Sequence, residues 1–122
     1  MPIGSTIRCP YRIAPPEGPT ADYGAYIARV GGCHGCHGET LSGGPIPAGD
    51  PSWPPAANLT PTGIGRYSET AFNTPLRTGL RPDGSEVNVA MPIRWSKEMT
   101  DVEIKAVWEF LRGVPAKEFG NR

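Results

Sequence analysis

The stretch Cys33-His34-Gly35-Cys36-His37 decides how the rest of the chain is read. Two thiols three positions apart, followed at once by an imidazole, form a C-x-x-C-H run, the attachment signature of a c-type haem. Each thiol must reach one vinyl group on the porphyrin edge while the next residue turns its ring under the iron. A chain built on that motif has three further tasks: to supply a second axial ligand, to enclose the macrocycle and to leave one edge open.

Upstream of the motif, Tyr23, Tyr26, Ile27 and Val30 recur at the helical spacing i, i+3, i+4, i+7, with Gly24 among them as a site of close packing. Asp22 is the expected N-cap, and Gly31-Gly32 ends the helix just before Cys33. A short amphipathic helix therefore delivers the motif. Before it, Pro2, Pro10, Pro15, Pro16 and Pro19 exclude a helix and predict an extended arm over residues 1–20. The haem domain is accordingly assigned to residues 21–122. Cys9, in the arm, reads as a free thiol or an intermolecular pairing site.

Downstream, nine glycines and prolines between Gly43 and Pro61 predict one long loop over residues 38–65. A loop of that length in a small domain is wrapped on something or disordered. Trp53, Ile46 and Leu59 give it apolar anchors, which favours wrapping around the haem. A carbonyl of this loop, Pro45 or Pro47 being the first candidates, is expected to accept the other ring N–H of His37.

Ser68 is the expected N-cap of a helix running to Thr78, with Phe72 and Leu76 on one face, Gly79 as its stop and Pro75 predicted to kink or shorten it. Arg81-Pro82-Asp83-Gly84 reads as a tight turn. An extended approach, Val87 to Ala90, leads to Met91-Pro92. In the last helix, Thr100 and Glu103 form a T-x-x-E capping box, and Ile104, Val107, Trp108 and Leu111 define one apolar face. Its expected partner is the first helix, with Tyr23, Tyr26 and Ile27 facing Trp108, Phe110 and Leu111 across Gly24.

At 122 residues, 38% hydrophobic, with 16 Gly and 15 Pro, the chain is one small domain of short elements and long loops. A protein of this size buries roughly 60–70% of its unfolded surface, and a haem would complete its core. Lys plus Arg equal Asp plus Glu at 12 each, so no overall charge draws the protein to nucleic acid or an anionic membrane. Residues 31–65 carry no Lys or Arg, whereas Arg66, Arg77, Arg81 and Arg94 follow. These are a solvated face or, in part, partners for haem propionates.

The second ligand is reached by elimination. The only histidines, His34 and His37, both lie in the motif, and His34 is tethered on the proximal side. The remaining soft ligands are Met1, Met91 and Met99. Met1 is terminal, and Met99 precedes the N-cap Thr100, where it is expected to pack on Ile104 as a hydrophobic staple. Met91, beside Pro92 in a loop, is the expected ligand.

With the motif, the Met91-Pro92 pair and a final helix ending Phe110-Leu111-Arg112-Gly113-Val114-Pro115, residues 21–115 resemble a class I cytochrome c. Asn58-Leu59-Thr60-Pro61, Gly63-Ile64-Gly65, Leu76-Arg77-Thr78-Gly79 and Asp83-Gly84 are similar to cytochrome domains that accompany bacterial membrane-bound dehydrogenases. The resemblance implies an all-α fold of short helices and long loops around one haem joined to Cys33 and Cys36. It implies that His37 and Met91 bind iron, that Arg77 holds a propionate and that Trp95 is the aromatic following the methionine. Pro75 departs from the pattern. The resemblance also implies haem attachment outside the cytoplasm. Because Met1 to Pro16 contain no signal-like apolar run, the expectation is a periplasmic protein whose leader or anchor was removed or replaced, or a piece of a longer one.

The function expected from a His/Met iron is electron transfer, the iron cycling between ferrous and ferric states, rather than enzymatic catalysis. Its partners would be redox proteins on the dehydrogenase or terminal-oxidase side, including those of a membrane complex, met by a monomer through a small transient interface. An alternative is a haem enzyme or gas sensor in which Met91 dissociates. A zinc or redox-thiol site at Cys33 and Cys36 is a third, weakened by the lack of further ligands and of a surrounding βαβ pattern.

Overall fold

The structure, a computed structural model, describes residues 14–122; Met1 and Cys9 lie outside them. Among the described residues the regular elements are six helices and no named strand: α1 (Ala21–Val30), α2 (Cys33–His37), α3 (Pro61–Ile64), α4 (Glu69–Thr78), α5 (Ile93–Ser96) and α6 (Asp101–Gly113). This is the all-α arrangement of short helices and long loops that the sequence predicts. No helix among the described residues is long and apolar enough to cross a membrane.

The frame is the crossing of α1 on α6. A Cβ on Gly24 would run into the Ala106 carbonyl and Phe110 Cβ, so the absence of a side chain lets the two backbones meet. Ile27 of α1 and Ile104, Val107 and Leu111 of α6 are buried in the same core cluster. The aromatic rings divide differently from the expectation. Tyr23 stacks on Tyr26 with centroids 6.1 Å apart, whereas Trp108 pairs with Phe72 of α4 at 5.3 Å. Trp108 thus joins α6 to the middle helix.

Local chemistry sets the helix ends. The first helix is capped by Thr20, not Asp22: the Thr20 hydroxyl accepts from Tyr23 N–H at 3.2 Å. Asp22 falls in the first turn instead, where its charge suits the helix dipole. Ser68 caps α4, accepting from Ala71 N–H at 3.0 Å. Both halves of the capping box on α6 form, Glu103 N–H to the Thr100 hydroxyl at 3.1 Å and Thr100 N–H to the Glu103 carboxylate at 2.8 Å. Pro75 does not shorten α4, which runs on to Thr78 and closes through Gly79 at φ +79°.

One short helix falls inside the predicted loop, and a second lies in a stretch for which the sequence pattern predicts no element. Pro61–Ile64 makes one turn because Pro61 occupies its first position, where a missing N–H costs nothing. Ile93–Ser96 follows Met91-Pro92, and its buried Ser96 hydroxyl donates to the Leu76 carbonyl at 2.7 Å, tying α5 to α4. The long loop is otherwise held by its own backbone. Gly44 and Ala56 exchange hydrogen bonds of 3.0 and 2.9 Å, and Leu59 N–H donates to the Leu41 carbonyl at 2.8 Å.

Candidate functional site

The cysteine-histidine motif is itself a helical turn, α2, entered through Gly32 at φ +82°. It opens onto a cleft of about 250 Å³ that gathers Cys33, Cys36, His37, Met91, Met99 and Trp95 with apolar side chains from α1, α4 and α6. The long loop contributes Ile46, Pro54, Pro55, Ala56, Ala57 and Leu59 to the lining. Trp53 is not among the lining residues. It lies against the turn at Ile46 and Gly49, so that of the three expected anchors Ile46 and Leu59 reach the cleft.

His37 is only 8% exposed. Its Nδ1 lies 2.7 Å from the carbonyl oxygen of Ala57; a carbonyl only accepts, so Nδ1 carries the proton and Nε2 keeps a free lone pair. The orienting carbonyl is therefore neither Pro45 nor Pro47. The Pro45 carbonyl accepts from Arg122 at 2.8 Å instead. Burial pushes the His37 pKa below its ordinary value; the Ala57 hydrogen bond opposes this, and the charges of Arg122 and His34 add to it. A neutral imidazole with one nitrogen bare is the form that binds a metal. Burial raises the Cys33 pKa, which disfavours the thiolate that a redox-thiol centre would need.

Both methionines near the motif line the cleft, by different routes. Met99 packs against the core cluster that contains Ile104, and its carbonyl accepts from Arg77. Met91 stands on a turn made by Asn88. The Asn88 side chain accepts from Ala90 N–H at 2.8 Å and its carbonyl from Met91 N–H at 3.0 Å. This Asx turn replaces the extended approach expected there and leaves Val89 91% exposed. Asn at a turn start is a readable signal, and it marks Asn88 as a site-shaping residue that the sequence reasoning missed.

Arg77, which the resemblance implies as a propionate partner, is bonded to main-chain carbonyls and to Asp101. One guanidinium nitrogen donates to the Lys97 and Met99 carbonyls at 2.7 and 2.5 Å, and another pairs with Asp101 at 2.8 Å. Those bonds hold the segment between α5 and α6, and Arg77 does not line the cleft. Among the described residues the arginine that does is Arg81, at the start of the R-P-D-G turn. It is braced by donation to the Glu86 carbonyl at 2.6 Å. Trp95 lines the cleft, 46% exposed, with its ring against Gly31.

The donor set fits a covalent haem. Two thiols and an imidazole with a bare nitrogen share an apolar cleft with two thioethers, and among the described residues its one charged lining side chain is Arg81. A small helical fold closed around such a cleft defines a mono-haem electron-transfer domain. Residues 21–115 match the family model described as cytochrome c, and the chain belongs to that family. Membership implies covalently bound haem c and electron transfer through it.

The chain is similar to cytochrome subunits of several dehydrogenases. It is 36% identical over 99 residues to the alcohol dehydrogenase (quinone) cytochrome c subunit of Gluconacetobacter polyoxogenes, covering 75% of this chain and 21% of that protein. It is 31% identical over 101 residues to the fructose dehydrogenase cytochrome subunit of Gluconobacter japonicus, covering 76% and 21%. With the gluconate 2-dehydrogenase cytochrome c subunit of Pantoea cypripedii it shares 35% over 108 residues, covering 81% and 24%. The match thus spans about a fifth to a quarter of the length of these relatives.

Proposed function

We propose that this chain relays single electrons through one haem c joined to Cys33 and Cys36, with His37 and Met91 as axial ligands. The haem domain would occupy residues 21–122 and work outside the cytoplasm beside a dehydrogenase, as a periplasmic carrier or as part of a respiratory complex. The observation that carries this reading is that Cys33, Cys36, His37 and Met91 all line one apolar cleft.

When bound, the haem supplies a one-electron couple whose potential a thioether ligand raises relative to a second imidazole. The chain's own residues do the rest. Ala57 holds the His37 ring in the tautomer that leaves Nε2 available. The Asn88 turn presents Met91, and Pro92 removes a donor beside it. The apolar lining restricts water and keeps the local dielectric low. With two protein ligands on the iron no position remains for a substrate, which favours a relay over an enzyme. Arg81, rather than Arg77, is the arginine proposed to meet a propionate. Half-exposed Trp95 marks an edge of the cleft open to a redox partner.

Purified protein is expected to be red, with haem that survives acid-acetone extraction. Extractable haem would overturn the reading. Ferrous protein is expected to resist CO at neutral pH, and rapid CO binding would instead support a sensor in which Met91 dissociates.

A further inference from the structure

Residues 116–122 lie beyond the stretch matched to the family, yet they are laid against the loop that orients His37. Gly120 N–H donates to the Ser42 carbonyl at 3.1 Å, and the Thr40 hydroxyl donates to the Asn121 carbonyl at 2.8 Å. One guanidinium nitrogen of Arg122 donates to the carbonyls of Gly43 and Pro45, at 3.3 and 2.8 Å. The seat is shaped by missing side chains. A Cβ on Gly38 would meet Arg122 Cβ at 2.9 Å, and one on Gly44 would meet Gly120 Cα at 3.1 Å. Both glycines have positive φ, +91° and +110°, so a side chain there is disfavoured twice over.

This seat is one step from the imidazole. Gly44, between the two carbonyls that Arg122 grips, exchanges paired hydrogen bonds with Ala56, and the next residue, Ala57, accepts from His37. Gly43 N–H returns to the His37 carbonyl at 2.8 Å. The guanidinium therefore holds from outside the loop that orients the ring from inside. Arg122 also lies against Gly38, the residue that follows His37, where a Cβ would meet Arg122 Cβ at 2.9 Å, so its charge sits close to the ligand's own main chain.

We propose that Arg122 is a positioning residue for the proximal ligand: it steadies the His37–Ala57 hydrogen bond through residues 43–45, and its fixed charge favours the reduced redox centre. The inference rests on the reading of His37 as an axial ligand. A cation behind the ligand stabilises the oxidation state that carries one positive charge fewer. Arginine stays protonated at every working pH, so the bias is permanent rather than switched.

The test compares the full haem-loaded chain with R122Q and R122K by redox titration and by the hyperfine-shifted haem-methyl signals of the ferric protein. R122Q is expected to shift the reduction equilibrium toward the ferric form by about threefold, the scale of one partly screened charge. Its haem-methyl pattern is expected to change as the ring reorients. R122K, which keeps the charge, is expected to retain most of the parent potential. Parent-like potentials and spectra in both variants would overturn the proposal, as would equal shifts in both. Helical circular dichroism separates unfolding from these effects. Should R122Q not fold, an altered haem-methyl pattern at near-parent potential in R122K supports the proposal, and an unaltered pattern overturns it. Absence of covalent haem in the parent would overturn both this and the axial-ligand reading; a null result with haem present overturns this one alone.

Discussion

His37 and Ala57 are joined by a 2.7 Å hydrogen bond from the ring Nδ1 to a main-chain carbonyl. The bond fixes the tautomer and the rotation of the imidazole together. It also makes the imidazole depend on a loop with almost no regular structure, so the precision with which the ring is held is set by hydrogen bonds that hold that loop rather than by helix packing alone.

The two cleft-lining methionines separate by substitution. Met91→Ala is expected to abolish the sulfur-to-iron charge-transfer band of the ferric protein and to let the ferrous protein bind CO. Met99→Ala should keep the band and lower stability by about 1–3 kcal/mol through lost packing. Loss of the band in Met99→Ala, with retention in Met91→Ala, would reverse the ligand assignment.

Gly24→Ala should be severe for so small a change. The added methyl meets the Ala106 backbone rather than a flexible side chain, and overpacking of that kind costs about 3 kcal/mol or more where neither helix can withdraw. A thermal midpoint equal to that of the parent would show that the helices separate without penalty.

Arg77 and Arg81 should divide structure from redox tuning. Arg77→Gln removes donors from two carbonyls and Asp101. It is expected to cost about 1–2 kcal/mol in chemical denaturation with little change in potential. Arg81→Gln should leave stability nearly unchanged and lower the potential, because an unpaired propionate favours ferric iron. The opposite pairing of effects would restore Arg77 as the propionate partner.

Asp83 sets an acid limit on the turn that carries Arg81. Its carboxylate accepts from the Ser85 hydroxyl and N–H at 2.6 and 2.9 Å, and those bonds, the hydroxyl first, hold its pKa below the ordinary 3.8. A lowered folded pKa means that the contribution is present above the unfolded value and lost as pH falls through the folded one. Asp83→Asn should therefore show a shallower fall of melting temperature than the parent between about pH 4 and pH 2. Identical slopes would remove the carboxylate from the account.

The cofactor motif, the α6 capping box, the stop at Gly79 and the close approach at Gly24 are legible in the sequence because each is a local pattern of side chains with one physical meaning. The ligand carbonyl is not. Ala57 acts through its backbone, which every residue carries, so prolines at 45 and 47 offer no better guide than their neighbours. The bonding of Arg77 is hidden for another reason. Its position in Leu76-Arg77-Thr78-Gly79 fits a propionate partner, but the side chain is claimed by carbonyls between α5 and α6, segments whose proximity no local pattern reveals. The brief helices α3 and α5 escape because one turn is too short for a period to register. Asn88 and Arg81, by contrast, sit in turn signals that can be read once the turn rather than the strand is sought.

The approach of Gly24 to Ala106 also bears on how the molecule reaches its fold. It joins the first helix of the described chain to the last, so nearly everything that lines the cleft lies inside the loop this contact closes. Contacts of such high order tie up chain entropy before they return stability. Docking of α1 on α6 therefore closes the longest loop of the described chain, and Cys33 and Cys36, only a few residues beyond α1, are tethered near its closed end.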